Sequence, residues 1–190
     1  MEHQTITVVS GLPRSGTSLM MQMLEAGGLP ILTDNLRTPD PDNPKGYYEF
    51  EPVKQLERDS SWIPSAVGKV VKVVSPLLRH LPADHRYKIV FMQRDLTEVL
   101  ASQRKMLERR GRPALNEDEA MAATFRRHLA DLEAWLAKQP NIQTLYTVYR
   151  AVLEQPAAEI GRVNAFLGGV LDMVAMAQVI DLALHRQRSV

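Results

Sequence analysis

The stretch Thr5–Leu24, TITVVSGLPRSGTSLMMQML, decides the fold. It opens with a short, apolar, β-branched run, Thr5–Val9, which predicts a buried strand. The loop Gly11–Ser18 follows, and the apolar residues after it recur at helical spacing. A strand, a tight glycine loop and a helix direct backbone N–H groups and a helix N-terminus at one point, where an anion is favoured. The sequence therefore predicts a phosphate-binding loop in this part of the chain.

The residues of this loop suit an anionic ligand. Gly11 and Gly16 allow the backbone to approach a ligand closely, and Arg14 brings a permanent positive charge. The Walker A pattern of nucleotide kinases, G-x-x-x-x-G-K-[ST], fits both glycines and Ser18 but requires lysine where this chain has Thr17. The missing lysine argues against a kinase, which needs it on the triphosphate. A glycine turn without a ligand is the alternative for this motif alone.

Length and composition are those of a globular protein with one sizeable core. The chain has 190 residues, of which 45% are hydrophobic and 24% charged, and a formal net charge of +1. This balance argues against a general nucleic-acid or membrane surface, and no apolar run reaches membrane-spanning length. The absence of cysteine excludes thiol catalysis and Cys-ligated metals. The N-terminus has no basic targeting region, so we expect a cytoplasmic protein.

Strand and helix patterns alternate along the rest of the chain. Near-continuous apolar runs at 69–75, 88–93 and 142–148 predict three more strands of the kind found inside parallel sheets. Amphipathic patterns predict helices over 95–110, 116–138, 150–154, 156–169 and 170–184. Alternation of this kind predicts an α/β fold, with a central parallel sheet of about four strands flanked by helices and the first strand inside the sheet. We expect a single domain over residues 1–190.

A second anion motif follows the third predicted strand. Arg94 lies at the mouth of the next helix, and Ser102 lies two turns into it, so both can reach one phosphate along that helix. A surface pair between Arg94 and a carboxylate is the alternative for this motif alone. Together the two motifs resemble those of the sulfotransferase family, and of its small bacterial members in particular. The matching residues are Pro13, Arg14, Ser15, Gly16, Thr17, Ser18, Arg94, Asp95 and Ser102.

The resemblance implies a three-layer, P-loop-like fold and a co-substrate. The 13–18 loop would bind the 5′ end of 3′-phosphoadenosine 5′-phosphosulfate (PAPS), and Arg94 and Ser102 would bind its 3′-phosphate. A looser third match, from 148 to Gly168, extends the resemblance over most of the chain. The family's reaction implies no metal and an acceptor that is a small molecule or a glycan, with no nucleic-acid or membrane partner.

The catalytic residues are expected at Arg14, Lys72 and Glu49. Arg14 and Lys72 would stabilise the bridging oxygen as it gains charge, because positioning and charge stabilisation carry most of such a transfer. In cytosolic sulfotransferases a histidine stands where this chain has Val74, and the family's C-terminal Arg-Lys-Gly phosphate loop is missing here. None of the five histidines is well placed as a substitute base.

Glu49 is therefore our candidate for the base. The wording Gly-Tyr-Tyr-Glu at 46–49 resembles bacterial relatives, and burial among these aromatic side chains would raise the pKa of a glutamate toward neutrality. Glu51 is the reserve, and two solvated carboxylates are the alternative. The long loop 30–46 and the segment up to Trp62 are expected to face the acceptor, whose identity the sequence does not give.

Three functions stay open on the sequence alone. The first is a sulfotransferase that uses PAPS. The second is a P-loop nucleotide kinase or hydrolase, against which the threonine in the lysine position argues. The third is a relative that binds a sulfonucleotide or another polyanion without catalysis, which Val74 and the short C-terminal part favour.

Overall fold

The computed structural model of the chain describes residues 5–34, 36, 46–109, 111 and 118–180. Its strands and helices are β1 (Thr5–Gly11), α1 (Thr17–Ala26), β2 (Val70–Lys72), β3 (Arg86–Gln93), α2 (Leu96–Arg109), α3 (Asp118–Leu136), β4 (Ile142–Val148), α4 (Tyr149–Glu154), α5 (Pro156–Leu167) and α6 (Met173–Gln178). Short 3₁₀ helices span Glu51–Gln55, Ile63–Ala66 and Ser75–His80.

The four strands form one parallel sheet in the order β2-β1-β3-β4. β1 lies inside the sheet, where Val8 pairs with Val71 on one side and with Ile89 on the other. The predictions of a parallel sheet, of four strands and of an internal first strand are confirmed. Because all four strands run the same way, the loops that follow them meet at one edge of the sheet, the edge of their carboxyl ends.

Helices and short segments cover both faces of the sheet. Successive side chains of a strand point to opposite faces, so neighbouring residues of β1 enter different cores: Val8 packs in one and Val9 in the other. The segment 50–81 and α3 close the first core, and Trp62 and Leu132 belong to it. Helices α1, α4, α5 and α6 close the second. The result is the three-layer α/β arrangement that the alternating patterns predict.

Several element boundaries differ from the sequence-based expectation. β2 ends at Lys72 rather than near Ser75, because the chain enters a 3₁₀ helix there with a proline in its first turn. The last predicted helix begins at Met173 rather than near 170, since the Asp172 side chain accepts hydrogen bonds from the backbone and caps it there. Asn116 and residues 35, 37–45 and 181–184, to which some of our predictions refer, lie outside the described residues.

Candidate active site

The loop after β1 is closed by two glycines at positions where a Cβ would collide with neighbouring atoms. Gly11 has φ +150° and Gly16 has φ +96°, both in the region that residues with a Cβ avoid. A Cβ on Gly16 would lie 2.3 Å from Cδ2 of Tyr149, and one on Gly11 would lie 2.4 Å from Oγ of Ser15 and 2.6 Å from the carbonyl oxygen of Met92. The loop therefore packs tightly against β3 and α4 and holds a single shape.

Arg14 connects this loop to the second predicted anion motif. Its Nε donates to Oγ of Ser102 at 2.9 Å, although the two residues are 88 positions apart in sequence. Its carbonyl oxygen accepts from Nη1 of Arg94 at 3.1 Å. The backbone of Arg14 has φ +71°, a conformation that is uncommon for a residue with a side chain. The fold thus brings Arg14, Arg94 and Ser102 to one place, with both the backbone and the side chain of Arg14 held from the α2 side.

Arg94 is held on several sides. Its Nε donates to Oε2 of Glu98 at 2.8 Å, and the side chains of this pair are only 9% and 6% exposed. Its guanidinium carbon lies 4.5 Å from the centre of the Tyr149 ring, a cation–π distance. Burial raises the pKa of Tyr149, so the phenol stays neutral. Oδ1 of Asp95 accepts from the backbone N–H groups of Thr97 and Glu98 and caps α2.

Lys72 reaches the start of α1 from the end of β2. Its Nζ donates to Oγ of Ser18 at 3.2 Å and also to the carbonyl oxygen of Tyr47. The hydroxyl of Ser18 in turn donates to the same carbonyl at 3.4 Å. This network joins the first turn of α1 to the segment that contains Glu49. Of the remaining predicted loop residues, Pro13 is exposed, and Thr17 opens α1.

Glu49 lies on the segment next to Lys72, two residues after Tyr47. Its side chain is 23% exposed, and its Oε2 lies 3.9 Å from Nζ of Lys54. Glu51 binds the same ammonium group at 2.7 Å, so both candidate carboxylates face one cation. The carbonyl oxygen of Glu49 accepts from Oγ1 of Thr33 at 2.8 Å, which fixes the backbone there. No observation tests the role of Glu49 as a base, and it stays a prediction.

The fold also forms a pair that the sequence analysis missed. Nε2 of His128, on α3, lies 2.9 Å from Oγ of Ser75, which is fully buried just beyond the end of β2. Burial lowers the pKa of His128; the charge of Arg79 acts in the same direction, and that of Asp131 opposes it. A serine and a histidine 53 positions apart carry no joint sequence signal.

A cavity opens where the loop, the end of β3 and α3 meet. Its lining residues are Leu12, Ser15, Phe91, Met92, Gln93, Arg94 and Leu129. The hydroxyl of Ser15 is buried and has no hydrogen-bond partner among the described residues. Buried polar atoms nearly always have a partner. Four side-chain atoms of the described residues lack one, and of their residues Ser15 is the one that lines this cavity. The predicted phosphate loop and Arg94 thus line one concave site at the carboxyl edge of the sheet.

The described residues offer neither a metal-binding cluster nor a membrane-spanning helix. They contain no group of three or more His, Asp or Glu side chains that could hold a metal ion. None of the described helices is long and apolar enough to cross a membrane.

Comparison with known proteins then decides the family. Residues 4–186 match the family model of the sulfotransferase domain. The chain belongs to the sulfotransferase family. Its members are sulfotransferase enzymes, and the resemblance seen in the two loop motifs is confirmed. A search of curated protein sequences found no match.

Solved sulfotransferase structures share the fold of this chain. The sulfotransferase domain of the Synechococcus PCC 7002 olefin synthase has a TM-score of 0.57 and 17% identity, over 93% of this chain and 77% of that one. Mouse sulfotransferase SULT7A1, complexed with PAP, has a TM-score of 0.55 and 16% identity, over 93% of this chain and 62% of the mouse chain. The sulfotransferase from Alicyclobacillus acidocaldarius has a TM-score of 0.52 and 16% identity, over 95% of this chain and 87% of that chain.

Proposed function

We propose that this sulfotransferase moves a sulfuryl group from PAPS to a hydroxyl or amine of a small-molecule or glycan acceptor. The observation that carries the proposal is the hydrogen bond of 2.9 Å between Arg14 and Ser102, because it joins the two motifs predicted for the two ends of one nucleotide. The PAP bound in the related mouse structure supports the same co-substrate class. One domain over residues 1–190, in the cytoplasm, remains our expectation.

The 5′ phosphosulfate would lie on the loop 13–18, and the 3′-phosphate near Arg94 and Ser102. Two features support the loop as the anion site: the N-terminus of α1, with the hydroxyls of Thr17 and Ser18 in its first turn, and the buried, unpartnered hydroxyl of Ser15. The guanidinium of Arg14 lies between the loop and α2. From there it can form charge-assisted hydrogen bonds to the negative groups at either end of the nucleotide.

In the transfer, an acceptor oxygen or nitrogen forms a bond to sulfur while the bond from sulfur to the bridging oxygen breaks. The electron pair of that bond stays on the nucleotide, which leaves as the bisphosphate. Arg14 and Lys72 stabilise the bridging oxygen as it becomes negative. Support for Lys72 comes from its contact with Ser18, which places the ammonium group at the loop's end. The acceptor's proton goes to Glu49 in this proposal.

A binding protein without catalysis is the second candidate. One residue favours it: Val74 stands in the position of the family's catalytic histidine, and this residue is 37% exposed. A kinase fits neither the family membership nor the threonine at position 17.

Calorimetry and a transfer assay test the proposal. We expect the protein to bind 3′,5′-adenosine bisphosphate (PAP) without metal and to bind ATP with magnesium at least about tenfold more weakly, since ATP lacks the 3′-phosphate. Radiolabelled PAPS is then offered with a panel of phenols, alcohols, amines and glycans, and labelled product is counted. Binding of PAP with no transfer to any acceptor would favour the binding-only candidate. Preference for ATP with magnesium would contradict both.

A further inference from the structure

Glu98 is a buried carboxylate beside a site that we propose binds phosphate. It is 5% exposed, and its Oε2 accepts from Nε of Arg94 at 2.8 Å. Burial of a carboxylate has a desolvation cost, and a negative charge here repels an incoming phosphate. Direct binding of the nucleotide therefore gives no reason for an acid at this position. Its contact with Arg94 does.

Arg94 supports the loop at its most constrained residue. Nη1 of Arg94 donates to the carbonyl oxygen of Arg14 at 3.1 Å, and Arg14 has a backbone φ of +71°. A residue with a Cβ keeps such a conformation only where the surrounding structure imposes it. The hydrogen bond from Arg94 is one such constraint. It acts on the loop of the 5′ end and not on the 3′ site.

The orientation of the Arg94 guanidinium is set by three partners at once. The carboxylate of Glu98 accepts a hydrogen bond from Nε of Arg94, and the carbonyl of Arg14 accepts one from Nη1. The centre of the Tyr149 ring lies 4.5 Å from the guanidinium carbon. The same ring packs where a Cβ on Gly16 would have to lie. The donors of a planar guanidinium group are fixed relative to one another, so a rotation that breaks the contact with Glu98 also displaces the contact with the Arg14 carbonyl. A loss of the Glu98 charge therefore reaches the loop.

We propose that Glu98 is a positioning residue that couples the two phosphate sites of the nucleotide. Through its hydrogen bond with Arg94, Glu98 keeps the Arg94 guanidinium against the carbonyl oxygen of Arg14, so the loop keeps its shape. The same helix, α2, places Ser102 against the side chain of Arg14. The inference rests on the proposed function, in which the loop binds the 5′ end of the donor. Its consequence is that Glu98, although it lies on the helix of the 3′ site, affects a nucleotide that has no 3′-phosphate.

Titration of Glu98→Gln with two nucleotides tests this coupling. We expect AMP, which has only the 5′-phosphate, to lose affinity by about tenfold, and PAP to lose no more than that, because the variant no longer repels the 3′-phosphate. The matched control is Glu159→Gln, because Glu159 is also a nearly buried acid that binds an arginine of its own helix, Arg162, which in turn donates to a backbone carbonyl. This control should keep both affinities within about twofold. A loss for PAP with AMP unchanged would overturn the proposal.

Arg94→Lys is a second variant in case Glu98→Gln does not fold. Lysine keeps the positive charge for a 3′-phosphate but has no planar fork to bind a carboxylate and a carbonyl together. We expect about the same loss for AMP as in Glu98→Gln. An AMP affinity equal to that of the parent would show that the fork does not support the loop, against the proposal.

Hydrogen exchange without ligand separates this inference from the proposed function. The N–H of Ser15, which donates to the carbonyl of Leu12 at 3.2 Å, reports on the loop. We expect the loop amides to exchange about tenfold faster in Glu98→Gln than in the parent, and at the parent rate in Glu159→Gln. Unchanged exchange in Glu98→Gln refutes the coupling. A parent protein that binds neither AMP nor PAP refutes the proposed function, while the exchange result still decides whether Glu98 supports the loop.

Discussion

The two halves of the site are built in different ways. On the nucleotide side, which we define as the loop Gly11–Ser18 with Arg94, α2 and Tyr149, Arg14 is hydrogen-bonded to both Ser102 and Arg94. The Arg94–Glu98 pair is almost fully buried. On the acceptor side, defined as the segment Tyr47–Trp62 with Lys72, Ser75 and His128, the carboxylates stay partly exposed and share one lysine.

The difference shows which contacts in a site follow from the order of the sequence. Adjacent elements build the loop of the nucleotide side: a strand, a glycine loop and a helix N-terminus have one common geometry. Contacts between distant parts of the chain, such as Arg14 with Ser102, then add the second motif. Contacts across the sheet build the acceptor side, such as the pair between Ser75 and His128. A common donor explains the first construction, and an acceptor particular to this protein would explain the second.

Gly16→Ala is expected to have the largest effect on the nucleotide side. The new Cβ would lie 2.3 Å from the Tyr149 ring at a backbone φ of +96°, so the loop or the ring has to move. We expect PAP affinity to fall by at least about a hundredfold, with a lower Tm. The control is Gly161→Ala in α5, where a Cβ meets nothing within 4 Å and helix propensity predicts a gain of up to about 1 kcal/mol. Parent-like PAP affinity in Gly16→Ala would mean that the loop is not constrained as described.

Glu49→Gln tests the acceptor side with a nearly isosteric change. If Glu49 takes the acceptor's proton, turnover should fall by at least about a hundredfold, while PAP affinity stays within about a factor of two. Transfer kinetics and calorimetry on the same preparation give both numbers. Glu51→Gln is the control, because Glu51 contacts the same Lys54 but is more exposed. Equal losses in the two variants would assign the effect to Lys54 and not to a base.

Arg14→Ala is expected to reduce PAP affinity by about ten- to a hundredfold, or about 1.5–3 kcal/mol, the range for a hydrogen bond to a charged group. The variant removes the contact with Ser102 together with the loop's cation. Arg126→Ala is the matched control, since Arg126 is an exposed arginine on α3 that pairs with Glu119. Calorimetry at two salt concentrations adds a check, because a direct phosphate contact weakens as salt rises. A loss below threefold would move the anion site away from Arg14.

The sequence allows most of the fold and half of the site to be predicted. β4 has the predicted bounds 142–148, and β1 lies inside the sheet, because apolar runs bounded by turn residues have few alternatives in an α/β chain. Arg14, Arg94 and Ser102 lie together, as residues expected to bind one nucleotide should. Their binding of a nucleotide stays a prediction. The contact of Glu98 with Arg94 was not predicted, because it depends on how deeply the start of the helix is buried.

The acceptor side was less predictable for a physical reason. Neither the pairing of Ser75 with His128 nor the contact of Lys72 with the Tyr47 carbonyl follows from spacing, since each joins elements that only the sheet order brings together. The end of β2 was placed three residues too late, because an apolar run continues after the strand into the 3₁₀ helix that begins at Ser75. Periodicity reports burial, and here a 3₁₀ helix is buried as well as a strand.

His128→Gln gives the smallest expected effect and tests whether water is excluded from the pair of Ser75 and His128 on the acceptor side. Burial, helped by Arg79 and opposed by Asp131, lowers the pKa of His128 from its ordinary value of 6.5. The unfolded chain therefore takes up this proton at a higher pH than the folded chain, so the parent loses stability as the pH falls below about 6.5. Glutamine does not titrate, so between pH 7.5 and 5.5 the Tm of the variant should fall by about 2 °C less than the Tm of the parent. The difference is small because the imidazole is partly exposed.

Melting curves at matched ionic strength measure the difference, and His85→Gln, next to the exposed Asp84, is the control. Parallel curves for the parent and His128→Gln would show that water reaches this imidazole freely, and the acceptor side would then contain no buried polar pair like Arg94–Glu98 on the nucleotide side.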